Sequence, residues 1–358
     1  MLYPFLRLFL FSLDPEHAHR LALQALHWVQ AAPLRPSPPS DPRLSQEVWG
    51  IRFPNPVGLA AGYDKNAEVP LAWSALGFGF AELGTLTARA QPGNPKPRIF
   101  RLEKDQACIN RLGFNNNGAA AVAQRLGRLL TDRRCPIPLG FNIGKSRMTP
   151  LEDAVDDYLE SSALLLPFAD YLVVNVSSPN TPELRKLQEV DHLAKLLEAL
   201  IAQATQLAQQ TGTAPKPIVV KIAPDLSQAE IQEIAKLALD LGVAGLIATN
   251  TTIDRPGLRS PVNETGGLSG RPLAKRATEV LRSLFQTVEG KLPLIGVGGI
   301  FSAADAYERI CAGASLVQVY TGLIYEGPFL PRRIAQGLNQ ILKRQGISNI
   351  RDAVGSRV

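Results

Sequence analysis

From residue 57 onward, short apolar runs alternate with longer stretches of helical spacing. The runs are Val57–Ala60, Phe80–Leu83, Pro138–Asn142, Tyr171–Val176, Ile218–Ile222, Gly245–Thr249, Leu294–Val297 and Leu316–Tyr320. Their brevity and β-branched content predict buried parallel strands. Stretches such as Glu189–Gln209 and Ser227–Leu241 carry apolar residues at helical intervals and predict the helices between them. Eight such units with no break in composition predict an α/β fold, a closed (β/α)8 or TIM barrel. A doubly wound open sheet is the alternative arrangement.

The chain before the barrel has a different pattern. A first helix is expected over about Pro4–Phe11 from its unbroken apolar character. A second begins with Asp14 as N-cap and Pro15 at its first position, and its apolar residues Ala18, Leu21, Ala22, Ala25, Leu26 and Val29 follow helical spacing. Residues Ala31–Pro42 are so rich in proline that they read as a linker. The expected division is therefore a pair of amphipathic helices and linker over 1–42, a barrel over 43–345 and a tail over 346–358. Met1–Leu13 is shorter than the roughly 20 residues a spanning helix needs. It also lacks a basic start and is interrupted by Arg7, so it is a poor export signal.

Two stretches exceed the bare repeat. Thr85–Gly118 is expected to form a hairpin insertion over the barrel mouth, and Thr251–Arg271 a long polar loop of the kind that covers binding sites.

Composition then excludes several function classes. The 358 residues carry a formal charge of only +6, with no basic cluster or aromatic ladder, so no nucleic-acid partner is expected. Cys108, Cys135 and Cys311 are scattered, and His17, His19, His27 and His192 show no metal-ligand spacing. Neither a disulfide framework nor a metal site is expected.

The chemistry is legible where the strands end, which is where this fold places its active sites. Those ends read Ala61-Gly62 with Lys65, Gly84-Thr85, Asn142, Asn175, Lys221, Thr249-Asn250, Gly298-Gly299 and Tyr320-Thr321. Amides offer donors and acceptors to a planar heterocycle. Lysines neutralise an anion or charge developing on a ring. With no histidine or carboxylate among these positions, the difficult chemistry is expected to lie with a cofactor. Gly296–Ile300 (GVGGI) after the seventh strand, before a helix starting near Ser302, suits a phosphate. A phosphate together with an amide-lined ring pocket points to FMN.

Nine motifs carry a resemblance to a known family: AAGYDKN (60–66), INRLGFNN (109–116), GFNIGK (140–145), NVSSPNTP (175–182), VKIAPD (220–225), ATNTT (248–252), GGLSGRPL (266–273), GVGGI (296–300) and VYTG (319–322). In this order they resemble the class 2 dihydroorotate dehydrogenases, the quinone-dependent, membrane-associated class, and LDPEHAHRLAL (13–23) extends the likeness into the helical pair.

The resemblance implies an FMN site using Ala61, Gly62, Thr85, Asn142, Asn175 and Lys221. It adds Thr249, Gly270, Gly299, Tyr320 and Thr321. Dihydroorotate or orotate would contact Lys65, Asn110, Arg111, Leu112, Gly113 and Phe114, together with Asn175, Asn180, Asn250 and Thr251. Ser178 takes the base position, where class 1 relatives carry a cysteine, and Thr181 and Phe114 would surround it. Lys221 would offset negative charge on the ring. Segment 1–42 would lead a membrane quinone to the flavin, with His19, Arg101 and Tyr320 at the polar end of a tunnel. A monomer is expected, bound peripherally through its helices to the cytoplasmic side of the cell membrane. The implied activity is oxidation of (S)-dihydroorotate to orotate in de novo pyrimidine synthesis. A soluble-acceptor FMN barrel oxidoreductase of the same superfamily is the alternative, and a catalytically silent membrane scaffold is a third reading.

Overall fold

The computed structural model describes residues 3–32 and 38–358. Helices α1 (Tyr3–Ser12) and α2 (Pro15–Ala31) open the chain. A hairpin of β1 (Gln46–Val48) and β2 (Ile51–Phe53) follows, then β3 (Val57–Leu59) and β4 (Phe80–Leu86). An inserted hairpin, β5 (Ile99–Leu102) and β6 (Ala107–Asn110), precedes α3 (Ala119–Leu130). The alternation continues through β7 (Leu139–Ile143), α4 (Ala154–Leu165), β8 (Tyr171–Asn175), α5 (Val190–Thr211), β9 (Ile218–Ile222), α6 (Gln228–Asp240) and β10 (Gly245–Ala248). A short β11 (Gly267–Gly270) then leads into α7 (Ala274–Val288), β12 (Leu294–Val297), α8 (Ala303–Cys311), β13 (Leu316–Val319), α9 (Thr321–Glu326) and α10 (Leu330–Gln345).

All eight predicted strands form one closed parallel barrel in the order β3-β4-β7-β8-β9-β10-β12-β13. The α/β expectation is met, with two differences. The first strand is followed by a single 3-10 turn, Trp73–Leu76, and α10 packs against that turn and β3 in place of the missing helix. The tail past residue 345 belongs to the same body: Ile350 and Ala353 are buried, and the Ile350 amide donates to the Arg43 carbonyl.

The side-chain period of two sorts each strand into an outer apolar row and an inner row. Leu172, Val174, Val220 and Ile222 join the large cluster facing the helices. Phe80, Tyr171, Val219, Ile247 and Leu316 fill the lower interior with Phe53 and Val48 of the β1–β2 plug. Two large rings fit there because glycines face them: a Cβ on Gly58 would lie inside the Phe80 ring, and one on Gly140 inside the Tyr171 ring. The plug turns at Trp49 and Gly50, both at positive φ as a tight two-residue hairpin requires, and the Trp49 indole donates to the Ala244 carbonyl at 2.6 Å.

The predicted insertion is a hairpin, and it recruits β11 from the supposed polar loop into a three-stranded sheet, β11-β6-β5. This sheet carries the N-terminal helices. Asp14 caps α2 through the His17 amide, as its sequence context predicts. Glu16 on α2 receives Arg98 in two hydrogen bonds of 2.9 and 3.0 Å, while the Arg101 guanidinium bonds the carbonyls of Leu10 and Leu13 and stacks on Phe11. Residues 33–37 of the expected 31–42 linker lie outside the described residues.

Burial raises the Glu16 carboxyl pKa, but the Arg98 hydrogen bonds and the charges of Arg98, Lys96 and Lys65 outweigh it, so the net shift is downward. A depressed carboxyl contributes stability above its ordinary pKa that is lost as pH falls through the depressed value. Acidification through this depressed carboxyl range should therefore loosen α1–α2 from the sheet. Glu16→Gln should do so at neutral pH, read as faster amide hydrogen exchange confined to residues 3–32.

Candidate active site

The inner row changes character toward the barrel mouth. Above Phe80 stands Glu82, above Gly140 stands Asn142, above Val219 stands Lys221 and above Leu316 stands Gln318, all buried. Glu82 is fully enclosed. One of its oxygens receives Asn142 Nδ2 at 2.7 Å and Lys221 Nζ at 3.1 Å, and the other receives Gln318 Nε2. This buried carboxylate was passed over in sequence, where the strand ends were singled out. Glu82 and Gln318 lie inside the apolar runs of β4 and β13, and their signal was a single polar residue at an inward position.

From Asn142 the network climbs. Thr85 Oγ1 donates to Asn142 Oδ1 at 2.6 Å, and Asn175 Nδ2 donates to both groups at 3.0 Å. Asn250 Nδ2 donates to Asn175 Oδ1 at 3.3 Å and to Ser177 Oγ at 2.9 Å. A continuous chain thus links Lys221 to the β10 loop, and in a low-dielectric interior each satisfied member holds its neighbours in one orientation.

This network floors a cavity at the strand ends. Of the positions expected to hold FMN, Asn142 lies beneath the wall, bonded to Thr85 and Glu82, and the other ten line the cavity. Of those expected at the substrate, Arg111 points elsewhere. Its guanidinium meets Glu264 and the Pro97 carbonyl and stacks on Phe100, while the other nine line the cavity.

One end of the cavity is a backbone cradle made by Gly298, Gly299, Ile300, Gly270 and Thr321. Gly298, Gly299 and Gly270 have φ of 114°, 71° and 102°, the region that favours glycine. Among the described residues the amides of Gly299 and Ile300 donate to no acceptor. At the start of α8, Ser302 caps the Asp305 amide, and the Asp305 carboxylate takes the Phe301 amide. Behind the cradle, the buried Arg309 donates to the carbonyls of Gly298 and Ala274 at 2.8 and 3.1 Å, a support the sequence reading missed.

Ser178 lines the opposite wall and is nearly buried. Its Oγ accepts the Asn180 amide at 3.3 Å, and Asn180 Nδ2 reaches the Asn110 carbonyl at 3.1 Å, so its loop is latched to the inserted hairpin. Thr181 Oγ1 is buried with no partner among the described residues.

A second, larger cavity of about 680 Å³ lies between α1, α2 and the β5–β6 hairpin. Lys65, Asn110, Leu112, Ser269 and Tyr320 line both cavities and form the partition between them. His19 and Arg101 line the second one, as expected of tunnel residues. The Arg101 guanidinium, however, is engaged with the α1 backbone. Burial, reinforced by the Lys65 charge, pushes the His19 imidazole down to about 3, which leaves it neutral at physiological pH. Burial likewise draws the Lys65 ammonium down to about 8, with Glu16 opposing the shift and Arg98 adding to it. Tyr63 stacks edge-on between His19 and Tyr320.

A closed parallel barrel with a glycine cradle and an amide-lined cavity at its strand ends defines a (β/α)8-barrel enzyme. The family model described as dihydroorotate dehydrogenase matches residues 43–342, and the chain belongs to the dihydroorotate dehydrogenase family. It is 53% identical to the dihydroorotate dehydrogenase (quinone) of Gloeobacter violaceus over 99% of this chain and 98% of the relative. Its identity with the Thermus thermophilus protein of that name is also 53%, over 96% of this chain and 97% of the relative. Among solved structures it resembles DHODH from Eimeria tenella in complex with ferulenol, with a TM-score of 0.88 and 45% identity, covering 96% of this chain and 95% of that one.

Removing one partner of a buried ion pair leaves the other charge uncompensated, at a cost of roughly 3–5 kcal/mol. Glu82→Leu should therefore lose about that much stability, read as a lower denaturant midpoint.

Proposed function

We propose that the chain oxidises (S)-dihydroorotate to orotate on a bound FMN and delivers the electrons to a membrane quinone. The observation that carries this reading is the pair of adjoining cavities, one with an anion cradle over a floor of amides and Lys221, the other apolar and built by the N-terminal helices. The cavity fits FMN in the chemistry of its lining, with a glycine cradle at one end and amides and Lys221 at its floor. The free amides of Gly299 and Ile300 suit a phosphate, and buried Gln318 Oε1, without a partner among the described residues, offers an acceptor at the floor. When bound, FMN supplies the two-electron acceptor for substrate hydride.

The chain's own residues would do the rest. Gly299, Ile300 and Thr321 hold the phosphate, while Thr249, Gly270 and Tyr320 flank the cofactor. Lys221, already fixed by Glu82, supplies positive charge beneath the ring. Asn110, Asn175, Asn180 and Asn250 present amides to the substrate's carbonyl and N–H edges. Lys65 pairs with its carboxylate. Ser178 would accept the proton from C5 as its own hydroxyl proton passes to water, from a nearly buried position set by its loop.

The acceptor side rests on the second cavity. No described helix is long and apolar enough to cross a membrane. Phe5, Leu8 and Trp28 are nonetheless 74%, 69% and 81% exposed on the two N-terminal helices, as a peripheral membrane contact requires. Such a surface feeding an apolar cavity favours a quinone over a soluble acceptor. The membrane face would be the cytoplasmic one.

Three outcomes test the reading. The purified protein should be yellow, and dihydroorotate should bleach it; a colourless protein that binds no flavin would end the proposal. Ser178→Ala should retain FMN and slow bleaching by orders of magnitude in stopped flow. Lys65 is charged below about 8, so kcat/KM for dihydroorotate should fall as pH rises through that value. Lys65→Met should flatten that limb of the profile.

A further inference from the structure

Three loops at the barrel mouth meet on one ion pair that none of the roles above uses. Arg185 lies in a 3-10 turn, Leu184–Gln188, seven residues after Ser178. Its Nη2 is 2.8 Å from Asp225 Oδ2, in the loop after β9. The same guanidinium donates through Nε to the Ser177 carbonyl at 3.1 Å and through Nη2 to the Thr251 carbonyl at 3.4 Å. Asp225 in turn receives the Thr252 hydroxyl and, at 3.4 Å, the Ile253 amide. Both side chains are mostly buried, at 25% and 13% exposure, so the pair is shielded from the screening that makes surface ion pairs weak.

The two carbonyls that Arg185 grips belong to residues flanking the reacting groups. Ser177 precedes Ser178, and Thr251 follows Asn250, which itself donates to Ser177 Oγ. The opposite edge of the Thr251 segment is paired with β11 through reciprocal Thr252–Leu268 backbone bonds. A second tie, from the Ala223 amide to Gln188 Oε1 at 2.9 Å, anchors the turn carrying Arg185 to the β9 loop. The fork therefore joins the Ser178 loop to the Asn250–Thr251 segment across the substrate end of the cavity.

We propose that Arg185 and Asp225 are positioning residues that set the separation of Ser178 and the Asn250–Thr251 segment. This inference rests on the functional reading above. Neither side chain lines the cavity, so they act through the backbone they hold. A planar guanidinium presents several donors in fixed directions, whereas a lysine ammonium is a single point of charge. Arg185→Lys should therefore leave the carbonyls ungripped although the charge remains.

The test separates the two halves of the cycle in the FMN-bound full chain. Misplacement of a reacting group by about 1 Å costs on the order of 100-fold in rate. Arg185→Ala should accordingly slow flavin bleaching by saturating dihydroorotate by roughly that factor, with FMN content and reoxidation by quinone unchanged. Arg185→Lys should remain at least about tenfold slow, Asp225→Asn should fall in the same direction, and millimolar methylguanidinium should restore part of the rate to Arg185→Ala. Hydrogen exchange should rise in 176–189 and 250–256 and not in the glycine cradle. Wild-type bleaching rates in both Arg185 variants, or equal slowing of bleaching and reoxidation, would overturn the positioning role. Failure of the wild type to bleach would instead overturn the functional reading.

Discussion

A carboxylate with no exposure to water occupies the axis of this barrel, and the surrounding polar architecture is the consequence of keeping it satisfied. Glu82 needs donor partners on both oxygens, and the inner rows of three other strands provide them through Asn142, Lys221 and Gln318. An unpaired charge at this depth would cost several kcal/mol. Each partner is thereby locked in one rotamer, and Asn142 passes that order upward to Thr85 and Asn175. The floor of the cavity is rigid because its charges and dipoles have already chosen their partners before any ligand arrives. Preorganised dipoles of this kind need no reorganisation during a reaction.

The same barrel supports two adjoining cavities of different chemistry. Four of the five partition residues, Lys65, Asn110, Ser269 and Tyr320, carry polar side chains, while beyond them the helical pair offers apolar surface. What keeps the helices there is a small number of charged anchors. The Arg98–Glu16 fork and the Arg101 contacts tie α1 and α2 to an inserted sheet, and that sheet borrows a strand from the loop after β10. The insertion thus serves both cavities: Asn110 at its end latches the Ser178 loop, and its outer face carries the antechamber.

Much of this was legible along the chain. The alternation of apolar runs and helical stretches was enough for the barrel, since a strand buried on both faces needs an uninterrupted apolar run and a parallel neighbour needs a crossover. Asp14 and Pro15 marked the start of α2, and glycines after β12 marked the cradle. Glu82 and Gln318 were hidden because an apolar run with one polar residue reads the same whether that residue faces the axis or a helix. Arg111 sat within a substrate-lining loop, yet its side chain turned to Glu264, a choice that depends on a residue 153 positions away.

Local pattern, then, determined the element types, their order and the residue chemistry at the strand ends, because those depend on neighbours within a few positions. Tertiary structure alone decided which polar groups face one another. The closure of the barrel brings Glu82 to Lys221, the insertion recruits Gly267–Gly270, and three separate loops converge on Arg185 and Asp225. Such pairings are set by barrel register and by chain crossing, over separations that periodicity cannot encode.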